Sequence, residues 1–425
     1  MRVLVVGGGG REHATVRALF RSPQRPELLA APGNAGIARD RVPCHDVAAD
    51  DVTGLVRLAR DERCDLVVVG PEAPLVAGIV DALADVGVRA FGPSGAAARI
   101  EGSKVFAKQL MRELGVPTAS YALFSDREEA LAHLSCASYP AVLKADVLAA
   151  GKGVIICESE RDARRAVDAF FVDRRFGETR VVIEEFLEGE ELSLLALCDG
   201  LTALPMAPAR DYKRIFDGDR GPNTGGMGSY SPVPGIGPGH AEVLARAVHQ
   251  PIVDELRRRG TPFHGVLYAG LMMTREGPKV LEYNARFGDP ETQAVLPRLR
   301  SDLLELLDRA SRPGGLEGAR LEWSDAWAVT VVLASRGYPE SSSRGDEITG
   351  LRAIDGLETE VLHAGTVERD GRLFTAGGRV LNVTGIGATA EEARERAYAG
   401  AERVEFEGKQ MRHDIAARAV VKVEA

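Results

Sequence analysis

The chain has 425 residues, 45% of them apolar and 27% charged, and a formal net charge of −9 at pH 7. That length suits about two to four domains, and the negative balance removes any global electrostatic case for nucleic acid or an anionic membrane, though not for a local phosphate pocket. The five cysteines form no C-x-x-C pair, no apolar run approaches the ~18 residues of a membrane helix, and the glycine-broken N-terminus has no apolar signal-peptide core, so a cytoplasmic protein with reduced thiols is expected.

Arg2 to Val6 is a Val-rich run, Gly7 to Gly10 follow, and Arg11-Glu12-His13 open a helical pattern through Val16, Leu19 and Phe20. Strand, glycine loop and helix together make a phosphate-cradling turn, with backbone N–H groups facing an anion. The dinucleotide fingerprint G-x-G-x-x-G fails because Glu12 stands at its third glycine, and the second strand (Leu28 to Ala31) ends in Pro32-Gly33-Asn34 instead of an acid. These departures favour a mononucleotide or sugar phosphate over NAD and weaken a dehydrogenase reading. A helix (Asp51 to Arg60), a strand (Asp65 to Val69) closed by Gly70-Pro71-Glu72, a helix (Asp81 to Val86) and a strand (Arg89 to Phe91) complete an open, mainly parallel α/β sheet. Its strand ends, at Gly7–Gly10, Pro32–Asn34 and Gly70–Glu72, are expected to converge on one crevice.

From Glu101 to Leu114 the pattern is helical and carries Lys104. Strands Ala141–Asp146 and Val154–Cys157 enclose Val147 to Gly153, a small, glycine-containing loop with Lys152. It suits a flap over phosphates but is not a P-loop: Asp146 replaces the first glycine, and no Ser or Thr follows Lys152. Arg161 to Phe171 reads as an amphipathic helix. The strand Arg180–Phe186 closes on Glu184-Glu185-Phe186-Leu187, whose backbone can read an adenine while Glu190 or Glu191 holds a ribose; a merely solvated acidic run has the same composition. Pro208 to Pro234 reads as a long binding loop. A long helix (His240 to Arg259) and a strand (Gly265 to Met273) lead to the segment Lys279–Glu291.

That segment starts as a strand, so Glu282 and Asn284 share one face. A carboxylate and a carboxamide side by side suit Mg²⁺, and Arg286 continues the row; alone, the pattern equally fits a solvated strand with a turn at Gly288-Asp289-Pro290. A helix Gln293–Ala310, a linker Pro313–Gly318 and a third, α+β region complete the chain: strands Ala326–Ala334, Glu360–His363 and Gly378–Thr384, and a helix Ala390–Val404. The third region is expected to pack and cover.

Gly8 to Ala14 (GGGREHA), Ala31 to Gly36 (APGNAG), Val69 to Leu75 (VGPEAPL), Leu148 to Val154 (LAAGKGV), Gly221 to Gly228 and Asn284 to Glu291 stand in an order and spacing that resemble the glycinamide ribonucleotide synthetase family of the ATP-grasp superfamily, over the whole chain. The resemblance implies an N-terminal α/β substrate domain (1–100), an ATP-grasp domain (101–312, with a lid at about 118–190) and a C-terminal α+β domain (319–425). It implies a monomeric, cytoplasmic ligase that joins glycine to 5-phosphoribosylamine with ATP and Mg²⁺ or Mn²⁺, without nucleic acid or membrane as partner. On that model Lys104 and Lys144 bind ATP phosphates and the flap through Gly151, Lys152 and Gly153 closes over them. Glu184, Glu185, Phe186 and Leu187 hold adenine, Glu191 the ribose, and Glu282 with Asn284 the metal. Gly9, Gly10, Arg11, Asn34, Glu72 and Arg286 would face the substrates, and Arg286, Lys144, Asp211 and Lys213 would serve the transfer. One departure is Val147, where the family has glycine; a β-branched residue there is expected to stiffen or re-angle the flap.

Overall fold

In the strand Arg2–Gly7, alternate side chains enter two different cores. Leu4 and Val6 pack with Leu55, Leu75 and Leu83, whereas Val3 and Val5 pack with Val16, Leu19, Leu304 and Leu307. This is the period-two alternation of a strand buried on both faces, as parallel sheets require. The sheet runs Glu27–Pro32, Arg2–Gly7, Leu66–Val69, Arg89–Phe91, all parallel. The computed structural model describes residues 1–148, 153–354 and 357–423.

Two antiparallel sheets follow. One has the order Tyr121–Phe124, Val181–Glu185, Ala141–Ala145, Val154–Cys157; the other Ala203–Pro205, Glu190–Asp199, His264–Thr274, Gly277–Asn284. In the second, a register shift at Gly270/Leu271 sets Gly270 opposite Glu282 and Leu271 opposite Val280.

The third antiparallel sheet alters the expected layout. It joins Arg210–Asp211 and Gly228–Ser231 to Trp327–Ala334, Arg379–Gly387 and Thr359–His363. The stretch read as one long loop is therefore threaded into the C-terminal sheet, and a hairpin of Arg214–Phe216 with Arg220–Asn223 lies between its two sheet strands. Backbone pairing to a segment about a hundred residues away leaves no local pattern to read.

Three expected helices are broken. Glu101–Leu114 divides at Ser103, which ends Gly95–Gly102 and caps Lys104–Leu114 by accepting from Phe106 N–H. His240–Arg259 divides at His249 into Pro238–Val248 and Gln250–Arg258, with Pro251 in the first turn of the second piece, where a missing N–H costs nothing. Gln293–Ala310 becomes Glu291–Val295, a 3₁₀ turn Leu296–Arg298 containing Pro297, and Leu303–Ala310 capped by Asp302.

Candidate active site

Side chains from both central antiparallel sheets line one cleft of about 850 Å³, within the ~300–1,000 Å³ of small-molecule sites. At one end stand three lysines. Lys104 Nζ donates to the carbonyl of Val147 at 2.9 Å, and Lys144 Nζ to that of Leu281 at 3.1 Å. Lys108 and Lys144 both lie 3.0 Å from Glu184 Oε2, which makes Glu184 the hub of the cluster. Glu184 is 3% exposed and its Oε1 has no partner. Burial lowers the pKa of Lys104, with Glu282 opposing, and pushes that of Lys108 down to about 8. Glu185, Phe186 and Leu187 continue along the rim. Glu185 accepts from Ser120 N–H at 2.9 Å, and Glu191 pairs with Lys213 at 3.1 Å.

Facing the lysines are Glu282 and Asn284 from Gly277–Asn284. Burial pulls the Glu282 pKa up, but Lys213, Lys144 and Lys104 outweigh it, so the carboxylate is held below its usual range. An ionised carboxylate beside a carboxamide fits a hard divalent cation, and two protein ligands leave positions for phosphate oxygens.

The other end is cross-braced. Arg286 lies 3.3 Å from Glu72 Oε2 and 3.2 Å from Glu101 Oε1, and donates to Phe287 O at 3.1 Å. The two carboxylates on this one guanidinium shift in opposite directions. Burial raises both, but Arg286 and Arg11 bring Glu72 below its ordinary value, whereas Glu101, also accepting from Ala285 N–H at 2.6 Å, stays above it. Arg11 donates to the same Phe287 carbonyl at 3.2 Å. Arg379, from the C-terminal sheet, grips Asp289 Oδ2 at 2.8 Å and the carbonyls of Asp289 and Gly225 at 2.7 Å. Between the ends, burial drives the Asp211 carboxyl well above its ordinary pKa, reinforced by Glu291 and Glu191 against Lys213. Lys213 itself is held well above its ordinary value, because Glu191 and Asp211 overcome its burial. Glu291 Oε1 accepts from Tyr268 at 2.7 Å and Ser193 at 3.0 Å.

Of the residues singled out from sequence, Lys104, Lys144, Gly153, Glu184, Glu185, Phe186, Leu187, Glu191, Asp211, Lys213, Glu282, Asn284, Arg286, Arg11 and Glu72 line the cleft. Gly151 and Lys152 lie outside the described residues. The glycine loop stands one layer behind. Gly9 N–H donates to Glu12 Oε2 at 2.6 Å, so the carboxylate standing at the third fingerprint position folds back on its own loop. A Cβ on Gly9 would lie 3.5 Å from Asp289 Oδ2, and one on Gly10 would collide with Asn382. Asn34 caps Ala35–Arg39.

Sequence reasoning missed Lys108, Glu101, Tyr268 and Arg379, all in the cleft wall. Lys108 had a signal, since it lies four residues after Lys104 on the same helix face. Arg379 had none, because only the packing of the C-terminal sheet brings it there.

Family models for the N domain, the ATP-grasp (A) domain and the C domain of phosphoribosylglycinamide synthetase match residues 1–101, 102–292 and 328–418. The phosphoribosylamine–glycine ligase of Streptomyces coelicolor is 50% identical over 422 residues, 99% of either chain. The crystal structure of the phosphoribosylamine–glycine ligase of Thermotoga maritima superposes with a TM-score of 0.83 at 37% identity, over 98% of this chain and 100% of that one. A biotin carboxylase domain from Hydrogenobacter thermophilus shares the fold, with a TM-score of 0.73 at 18% identity over 96% of this chain and 91% of its own. The chain belongs to the phosphoribosylglycinamide synthetase family.

Proposed function

We propose that this cleft joins glycine to 5-phosphoribosylamine at the expense of ATP, through glycyl phosphate, giving glycinamide ribonucleotide, ADP and phosphate in de novo purine synthesis. One observation carries the reading: a cationic end (Lys104, Lys108, Lys144) and an oxygen-ligand pair (Glu282, Asn284) share a single cleft with a braced arginine, Arg286, on the side of the N-terminal sheet. Phosphoryl transfer needs positioning and charge stabilisation, and those residue types supply both without a protein nucleophile.

A carboxylate does not acylate an amine unaided, because its oxygen leaves poorly. The glycine carboxylate attacks the γ-phosphorus of ATP and ADP departs. The amine of phosphoribosylamine then attacks the acyl carbon, phosphate leaves, and the amine sheds a proton. Lys104 and Lys144 hold phosphate oxygens, and the rim at Glu184–Leu187 takes the adenine with Glu191 at the ribose. Glu282 and Asn284 would hold Mg²⁺ or Mn²⁺, which supplies charge neutralisation on the phosphates. Asp211 and Lys213 stand between the two ends, where the substrates would meet. Arg286, Arg11 and Glu72 shape the acceptor end. The domain division 1–100, 101–312 and 319–425 completes the proposal. Among the described residues no helix is long and apolar enough to cross a membrane, and the proposed setting is the cytoplasm, as a monomer acting on small molecules.

The test is ADP release with glycine plus freshly generated phosphoribosylamine, against other acid–amine pairs. Turnover confined to the first pair is expected. Faster turnover of another pair would make this a different ATP-grasp ligase.

A further inference from the structure

The glycine loop is fixed by groups of its own region, Glu12 and Asn34, and Asn34 also reaches the C-terminal sheet. The Asn34 amide is fully engaged: Oδ1 accepts from the N–H groups of Gly36 (2.9 Å) and Ile37 (3.0 Å), and Nδ2 donates to the carbonyls of Gly8 (2.9 Å) and His363 (2.8 Å). Gly8 belongs to the glycine loop, and His363 ends the strand Thr359–His363. One side chain thus ties loop to sheet and keeps no donor or acceptor for a ligand.

His363 makes a second link. Its backbone N–H donates to His13 Nδ1 at 2.8 Å, and His13 Nε2 lies 3.0 Å from Asp40 Oδ2. An accepting Nδ1 places the ring proton on Nε2, where it is donated to Asp40. His13 is fully buried, and burial outweighs Asp40 to hold the ring neutral. Gly36 sits between the two imidazoles, and a Cβ there would collide with both rings. The arrangement is a built joint with a defined tautomer, placed three residues beyond Gly10.

We propose that His13 is a positioning residue for the acceptor substrate. Pinned between Asp40 and the backbone of His363, it holds the C-terminal sheet against the glycine loop. Binding of the sugar phosphate, and not of ATP, then depends on that sheet. The inference rests on the ligase reading above and assigns a task to a domain expected only to pack and cover.

Three variants separate the two hydrogen bonds. His13→Asn leaves an amide oxygen where Nδ1 accepts, His13→Gln leaves an amide nitrogen where Nε2 donates, and His13→Leu removes both. Loss of the link to His363 is expected to raise KM for phosphoribosylamine about tenfold in His13→Gln and His13→Leu, the weight of one buried hydrogen bond. KM for ATP should stay unchanged, and His13→Asn should recover most of the loss. Equal rises in both KM values, or one KM for phosphoribosylamine across all three variants and the wild type, would overturn the proposal. Amide hydrogen exchange at Gly8 to Gly10 reads the joint without turnover: fast in His13→Gln and slow in His13→Asn supports it, and equal rates refute it. If His13→Leu does not fold, the Asn and Gln pair carries both measurements. A wild type that never consumes phosphoribosylamine defeats the ligase reading, and exchange still decides whether His13 holds the loop.

Discussion

The two ends of the cleft hold their charges differently. At the nucleotide end Lys108 and Lys144 share one carboxylate, Glu184, while Lys104 reaches only a backbone carbonyl at hydrogen-bond distance. Positive charge there exceeds what the protein itself neutralises, a state that a polyphosphate completes. At the acceptor end each arginine already has carboxylate partners: Arg286 with Glu72 and Glu101, Arg11 with Glu12, Arg379 with Asp289. Except for the adjacent Arg11 and Glu12, those pairs join side chains far apart in the chain, and together they leave little net charge. The nucleotide end therefore keeps cations available for a ligand, and the acceptor end uses them to fix shape. Substitutions at the first should cost turnover, and at the second stability.

The sharpest case is Glu282→Gln. Removing the charge facing Lys104, Lys144 and Lys213 while keeping the shape should lower kcat about a thousandfold, as for a group that stabilises transferring charge. Thermal stability should change by no more than about 1 kcal/mol. Near-wild-type turnover across a Mg²⁺ titration would remove Glu282 from the metal set.

Glu101→Gln inverts that pattern. Glu101 is 9% exposed and its carboxylate serves both Arg286 and the Ala285 N–H, so breaking it leaves a buried guanidinium short of a partner. A loss of about 3 kcal/mol in denaturant unfolding is expected, with KM for ATP unaffected. If stability holds while ATP binding weakens, the division between the two ends is wrong.

What was legible in the sequence follows from the same contrast. Arg2–Gly7 and Leu66–Val69 were readable because full burial forces a run of valines and leucines between turn residues. Lys144, Glu282 and Asn284 were readable because strand alternation places them and a family resemblance names them. The threading of Gly228–Ser231 beside Trp327–Ala334 was not, since distant backbone pairing leaves no period in either segment. Arg379 and Glu101 escaped for a similar reason: an arginine on a C-terminal strand and a glutamate near a helix end look solvated until another element buries them. Asn34 was read as a ligand for substrate although its amide is fully engaged by the fold, and short polar side chains in loops often bond to their own backbone.

Lys108 gives a smaller effect that still separates the ends. Burial sets its pKa at about 8, below the ordinary 10.5. Between those values the unfolded chain holds a proton that the folded chain has shed, so this group makes stability rise with pH across the window. Activity should move the other way, because above pH about 8 Glu184 keeps only Lys144 as a charged partner. A decline of about threefold in kcat/KM for ATP between pH 8 and 9 is expected. Lys108→Arg, charged throughout, should abolish that decline. An unchanged alkaline limb in the variant would assign it to another group.

Val147 marks the smallest expected change, just before the segment that the sequence suggests as a flap. The family pattern has glycine here, yet Val147 is not among the described non-glycine residues with positive φ, so the backbone does not need glycine. Its side chain instead packs, partly buried, against the cluster containing Leu143, Val167 and Phe170, and its carbonyl accepts from Lys104. Any stiffening therefore comes from apolar packing, and the lysine contact, being to backbone, survives substitution. Val147→Gly should cost about 1 kcal/mol of stability through lost packing and a freer unfolded chain. If the valine stiffens a flap, as the sequence suggests, KM for ATP should shift by about twofold, with KM for phosphoribosylamine constant. Unchanged ATP parameters beside the stability loss would show that the valine acts on the fold alone.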